Sequence, residues 1–259
     1  MAETMYGKRI LILIPHPDDE VVGCAAAIAR ARGQGARVFA TYLSHGCLSR
    51  KTMWWWQRGN YQHDVDRRMA EFAQVAEFLG IMVVGGNVQR SAREIWPDLQ
   101  TVYGEVMQAM QQCAPDCIWV PAYEGGNPDH DGLNALASTI KHVPVFEMAE
   151  YHFAHGIPHP NAFLAIKGNE IILDLTDDEK KMKRAAFALY KSEQKNLVDM
   201  DVRYESFRPL AQYDYSKRPH EGKLWYERFQ WVPFRHPRVD FTKAEMVSKA
   251  IMEFLGKRE

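Results

Sequence analysis

The sequence predicts an α/β protein: a mostly parallel sheet with helices on both faces, continued by a C-terminal extension. Three observations carry this. Short apolar runs such as Ile10-Leu11-Ile12-Leu13-Ile14 alternate with segments of helical periodicity. Two of the runs lead into polar clusters that precede helical segments, His16-Pro17-Asp18-Asp19-Glu20 and Gly125-Gly126-Asn127-Pro128-Asp129-His130-Asp131. Carboxyl ends of parallel strands are where open α/β sheets bind ligands. After Asn196 the composition shifts to dense Pro, Tyr, Arg and Trp.

Residues 9–14 read as a fully buried first strand, and residues 20–32 as a helix closed by Gly33 and Gly35. Residues 37–43 form the second strand. Residues 44–62 are irregular and carry Trp54-Trp55-Trp56. Val65, Met69, Phe72, Val75 and Leu79 recur near helical spacing, which places an amphipathic helix over 63–79, stopped by Gly80. A short strand over 81–84 follows, then a helix over 97–113 with Val102, Met107 and Met110 facing inward. Residues 117–120 are the next buried strand and 129–141 an Ala- and Leu-rich helix. Residues 145–148 and 171–173 add strands, and 177–195 form a helix with Thr176 as N-cap. The pattern divides the chain into an α/β catalytic domain, residues 1–196, and an extension, residues 197–259. The extension is expected to pack on the same domain, clamping the core or closing over the pocket, and to end in a helix near 242–255.

Composition narrows the class. A chain of 259 residues, 46% of them hydrophobic, buries a substantial core without staples. With 32 basic and 33 acidic residues the formal net charge is -1, so no global field draws it to nucleic acid or an acidic membrane. Residues 1–9 are polar, and the apolar run after them is too short for a signal peptide or a membrane span. Cys24, Cys47, Cys113 and Cys117 form no CxxC pair. A reduced cytoplasmic protein is the expectation.

The chemistry concentrates in the two polar clusters. With both turns at one sheet edge, His16, Asp19 and His130 meet around one divalent ion. Two imidazoles and a carboxylate with an open position form a common catalytic zinc set, and such sets also suit iron, cobalt or nickel. Asp18, between two ligands, stays free to act as a base. Singly, each cluster reads equally well as helix capping and dipole complementation. Their equivalent positions and joint ligand set favour a metal site.

These residues resemble the LmbE-like, or PIG-L, zinc-dependent N-deacetylases. Pro15-His16-Pro17-Asp18-Asp19-Glu20 reproduces the family's Pro/Ala-His-Pro-Asp-Asp-Glu motif in full, and Asn127-Pro128-Asp129-His130 follows its His-Pro-Asp-His motif after the first residue. Arg68, Glu71, Ala76, Leu79 and Gly80 match its Arg-xx-Glu-xxxx-Ala-xx-Leu-Gly helix. Lys183-Arg184-Ala185-Ala186 with Ser192 and Gln194 resembles its Lys-x-x-Ala…Ser-x-Gln helix, so the resemblance spans residues 9–195. It implies a Rossmann-like α/β fold that uses no nucleotide, zinc on His16, Asp19 and His130, and Asp18 as general base. The implied activity removes an acyl group, acetyl in the leading case, from an N-acylated amino sugar such as an N-acetylglucosamine derivative, or from a related small amide. An amide of another kind, such as a thiol conjugate, is the catalytic alternative.

In the family the first His of the second motif helps to stabilise the oxyanion, and the neighbouring Asp orients it. Here that position is Asn127, a donor that can neither carry a charge nor release a proton. Asp129 is then expected to orient a different group. Three cases fit: an easier or differently shaped substrate, a weakened or non-catalytic metal- or sugar-binding relative, or a histidine replaced in this chain. Trp54-Trp55-Trp56 reads equally as a wall that stacks on a sugar, with Trp55 as the contact, or as a contact that makes a homo-oligomer. Arg68 reads as a contact to a polar or anionic part of the substrate, or as an exposed pair with Glu71. His142, His152, His155 and His159 fit no metal template, and His45, His63, His220 and His236 have no assigned role. The expected partner is a small molecule, with neither nucleic acid nor membrane.

Overall fold

A computed structural model of the chain describes residues 5–53, 55–56, 58–197, 200, 202–227 and 241–258; Trp54 and His236 lie outside them. In chain order it runs β1 (Arg9–Ile14), α1 (Asp19–Gly33), β2 (Arg37–Tyr42), α2 (Tyr61–Leu79), β3 (Met82–Val83), α3 (Leu99–Cys113), β4 (Cys117–Pro121), α4 (Pro128–Ala137) and β5 (Val145–Met148). A small hairpin of β6 (Tyr151–His152) and β7 (His159–Pro160) follows. The chain then forms β8 (Ile171–Asp174), α5 (Asp177–Leu189), α6 (Gln194–Leu197), β9 (Tyr204–Pro209) and α7 (Ala244–Leu255). Seven strands make one sheet in the order β3-β2-β1-β4-β5-β9-β8. The pairs from β3 through β5 are parallel, and β9 runs antiparallel to both β5 and β8.

The alternation of β1 explains the three layers. Ile10, Ile12 and Ile14 pack on one face with α1, α2 and α5, whereas Leu11 and Leu13 pack on the other with α3, α4 and α7. A strand covered on both faces has to be apolar throughout, which is why it reads as a continuous run. Among the described residues, no helix is long and apolar enough to cross a membrane. All four cysteines are free, and three of them are buried.

The structure departs from the expected elements in four places. The segment after residue 196 does more than wrap the core, because β9 is inserted into the sheet between β5 and β8. Helix α1 breaks at Cys24, where φ is -151°. The freed amides of Ala26 and Ala27 donate to the two carboxylate oxygens of Glu205 on β9, each at 2.9 Å. Lys183 of α5 closes this arrangement, donating to Glu205 at 2.7 Å and to the Val22 carbonyl at 2.8 Å. The helix expected over 129–141 stops at Ala137, where Ser138 and Thr139 turn their hydroxyls back onto the carbonyls of Ala135 and Leu136. The helix expected over 177–195 stops at Leu189 because the chain turns to place the Tyr190 hydroxyl on Glu20 and Ser192 on Glu71.

Candidate metal centre and active site

Strand order positions the site. From β1 the chain moves outward to β2 and β3, and it returns on the other side of β1 as β4 and β5. Helix α1 covers one face and α4 the other. The turns after β1 and β4 therefore flank the crevice where the winding reverses, the usual ligand position of such sheets. Parallel register, with Ile10 beside Cys117 and Ile12 beside Trp119, brings both turns to the same edge.

His16, Asp19 and His130 meet there, all buried. His16 Nδ1 lies 3.2 Å from Asp19 Oδ2, His130 Nε2 lies 3.2 Å from the same oxygen, and the two ring nitrogens are 3.3 Å apart. A tetrahedron with donors about 2.0–2.1 Å from its centre has edges of about 3.3–3.4 Å. The triangle thus has the size and the donor types for a small divalent ion with a fourth position open.

Each of the three side chains is held from behind. His16 Nε2 meets Asp129 Oδ2 at 2.9 Å. Asp129 is fully buried and accepts from the backbone amides of Arg93 at 2.6 Å and of Ile95 and Trp96 at 3.1 Å each. The group that Asp129 orients is thus His16. Asp19 Oδ2 accepts from the His16 amide at 2.9 Å, which closes the turn. His130 Nδ1 faces Glu150 Oε2 at 3.3 Å. Burial disfavours a charged His16, but its hydrogen bonds to Asp129 and Asp19 outweigh that and push its pKa up to about 10. Burial likewise opposes a charged Asp19, yet His130 and His16 hold its carboxyl well below the usual range.

Asp18 lies outside the triangle, and its side chain does not cap α1. Its φ of 126° is a strained value for a side-chain-bearing residue. Its carboxylate is turned onto Arg68, whose guanidinium donates at 2.9 Å. Burial pushes the Asp18 pKa up to about 6, against the pull of Arg68. Arg68 is only 2% exposed. It also bonds the Pro17 carbonyl, donates to Ser192 at 3.1 Å, pairs with Glu193 at 2.8 Å and stacks on Tyr190. The exposed pair with Glu71 is not formed: Glu71 is buried and accepts from Ser192. In this structure Arg68 is engaged on Asp18.

Asn127 is the N-cap of α4 and accepts from the Asp129 amide at 2.9 Å through Oδ1. That leaves its NH₂ end, and the Asn127 side chain is a hydrogen-bond partner of the Tyr151 hydroxyl. The Tyr151 ring stands edge-on to His130 at 6.0 Å and packs over Gly126. A β-carbon on Gly126 would come within 2.2 Å of the Tyr151 carbonyl, so this position has no room for a side chain. Trp55 is 76% exposed, and its ring contact is Trp56 rather than the triad. His152 and His159 stack at 4.6 Å, and His155 and His220 line a separate cavity of about 490 Å³.

Sequence reasoning misses Glu150 and Tyr151, although they follow β5, the fifth parallel strand to end at this edge. The signal was a charged residue just past an apolar strand, the same signal that marks His16 and His130. It is weaker here because no helix begins after it.

Comparison with known proteins agrees with the fold. The family model described as GlcNAc-PI de-N-acetylase, PIG-L, matches residues 11–141, half of the chain. No functionally curated protein matches the sequence. A teicoplanin-pathway deacetylase is similar in structure, with a TM-score of 0.63 at 18% identity, covering 80% of this chain and 99% of its own. A deacetylase of the A40926 pseudoaglycone is similar with a TM-score of 0.60 at 14% identity, with the same coverage. An N,N'-diacetylchitobiose deacetylase from Pyrococcus horikoshii has a TM-score of 0.51 at 17% identity, covering 78% of this chain and 83% of its own.

Proposed function

This chain belongs to the PIG-L family, and from that premise we propose that it is a zinc-dependent hydrolase removing an acyl group, acetyl in the first instance, from an N-acylated amino sugar or related small amide. The observation that carries this is a ligand triangle with 3.2–3.3 Å edges and an unligated carboxylate, Asp18, in the same turn. His16 Nδ1, Asp19 Oδ2 and His130 Nε2 would hold the ion, which would supply positive charge to polarise an amide carbonyl and acidify the attacking water.

The chain's own groups do the rest. Asp18 takes the proton of the attacking water on its carboxylate and returns it to the leaving nitrogen, which cannot depart as an amide anion. Arg68 fixes the rotamer of Asp18 through Oδ2 and keeps the carboxylate from swinging onto the ion. Asp129 keeps the His16 proton on Nε2, so that Nδ1 is free to bind. The oxyanion receives neutral donors, the NH₂ of Asn127 and the hydroxyl of Tyr151, instead of an imidazolium. Loss of that charge assistance costs about 10²-fold or more in rate, by analogy with loss of one oxyanion donor. Trp55 remains our candidate for stacking on a sugar face outside the turn cluster. The setting we propose is cytoplasmic, with a small-molecule substrate.

Asn127 is also the observation that favours a second reading, a metal- or sugar-binding relative without turnover. Metal analysis combined with acetate release from a panel of N-acetyl sugars separates the two. Our reading expects bound zinc and measurable release, with kcat rising at least tenfold in Asn127→His. Zinc without release, in both the parent chain and Asn127→His, would establish the binding module. Release only from an amide that is not a sugar would move the substrate class.

A further inference from the structure

Glu150 is the least satisfied group at the site. It is 0% exposed, and neither carboxylate oxygen accepts a full hydrogen bond. A buried carboxylate in that condition is costly unless it serves a partner. Burial and the neighbouring charges of Asp19 and Glu124 push its carboxyl pKa well up, and the ring nitrogen it faces is His130 Nδ1, 3.3 Å from Oε2. That is the ring nitrogen turned away from the ligand triangle, since Nε2 faces Asp19 and His16. A neutral imidazole carries one proton, so an acceptor at Nδ1 decides whether Nε2 is available to a cation.

We infer that Glu150 is a positioning residue for His130: its carboxylate holds the ring proton on Nδ1 and so presents a bare Nε2 to the metal. This deepens the function proposed above and rests on that reading of His130 as a ligand. It also gives the site a symmetry that the motifs do not show, with Asp129 behind His16 and Glu150 behind His130.

The surroundings of Glu150 are built to hold it there. Its amide donates to Glu124 Oε1 at 2.9 Å, as does the amide of Tyr151, and its carbonyl accepts from the Asn161 amide at 2.8 Å. Glu124 is placed in turn by Asp131, which accepts from the amides of Glu124 and Gly125 at 3.1 and 3.0 Å. Asp131 sits on α4 one residue after His130. The helix that supplies the ligand thus also anchors the loop that orients it. Opposite, Gly23 of α1 leaves the room that Glu150 occupies: a β-carbon there would lie 3.3 Å from Glu150 Cγ and 2.9 Å from the Met148 sulfur.

The test compares zinc affinity, measured by chelator competition, in the parent chain and two variants. Glu150→Leu removes the acceptor and should weaken zinc affinity by about 10–100-fold. Glu150→Gln keeps an acceptor oxygen and should stay within about 10-fold of the parent. Unchanged affinity in Glu150→Leu, or equal losses in both variants, rejects the positioning role alone. Failure of the parent chain to bind zinc overturns the proposed function and this inference together, so the two failures are distinguishable.

Discussion

At the scale of single residues, the site separates two aspartates that are neighbours in sequence. Asp19 is held well below the usual carboxyl range by His130 and His16, against its burial, whereas burial pushes Asp18 up to about 6. A ligand must stay ionised, and a base must be able to accept and release a proton. Replacing Asp18 with Asn keeps the shape and removes the proton acceptor. Acetate release is expected to fall by about 10²–10⁴-fold, with zinc content by metal analysis unchanged. A loss of zinc in that variant would show that Asp18 is a ligand and that the roles were misassigned. His16, Asp19, His130 and Asp18 were legible because their spacing sits in two strand-to-helix turns. The engagement of Arg68 on Asp18 was not, because it depends on how α2 crosses the turn.

At the scale of elements, α1 depends on a strand nearly 180 residues away. The break at Cys24 frees two amides, and the Glu205 carboxylate takes both while pairing with Lys183. Glu205→Ala leaves those amides and a buried ammonium without their partner. A loss of about 3–5 kcal/mol is expected, read as a lower denaturant midpoint with an unchanged slope. Lys183→Met should cost less, since Glu205 keeps its two amide donors.

The start of α5 gives a pH prediction. Hydrogen bonding from Arg30, against partial burial, lowers the Glu179 pKa from 4.5 to about 2, and Thr176 completes a capping box with it. A depressed pKa means that the unfolded chain binds the proton first. The contribution is therefore present above 4.5 and is lost as pH falls toward about 2. Glu179 is only partly buried, so solvent screening keeps the effect small. The gap in melting temperature between the parent chain and Glu179→Gln should close over that window. A gap that widens toward low pH would contradict the assignment.

At the scale of the molecule, the proposed metal site would act as a clasp. It joins the turn after β1 to the turn after β4, and so ties α1 on one face to α4 on the other. An ion bound only by the folded chain stabilises it by about 2.7 kcal/mol at a free concentration of 100 times Kd. At about 2–4 °C per kcal/mol for a chain of this size, removal by chelator should lower Tm by about 5–10 °C, and zinc should restore it. An unchanged Tm on chelation would mean that the turns meet without the ion's help or that no ion binds.

The sequence alone determined the layering, the parallel strands and the meeting of His16, Asp19 and His130, because these follow from local pattern: apolar runs buried on both faces, helical spacing, and polar clusters at strand ends. It also determined Asn127, whose chemistry is visible without any fold. Tertiary structure decided what needs distant partners. It placed β9 inside the sheet, put Glu205 under the broken α1, and turned Asp129 onto His16. It also set Glu150 behind His130. None of these partners can be read locally, and the strand-end signal at Glu150 names no partner, because a carboxylate reads the same in sequence whether it faces water or lies buried against an imidazole; only packing, which removes water, gives it a single partner.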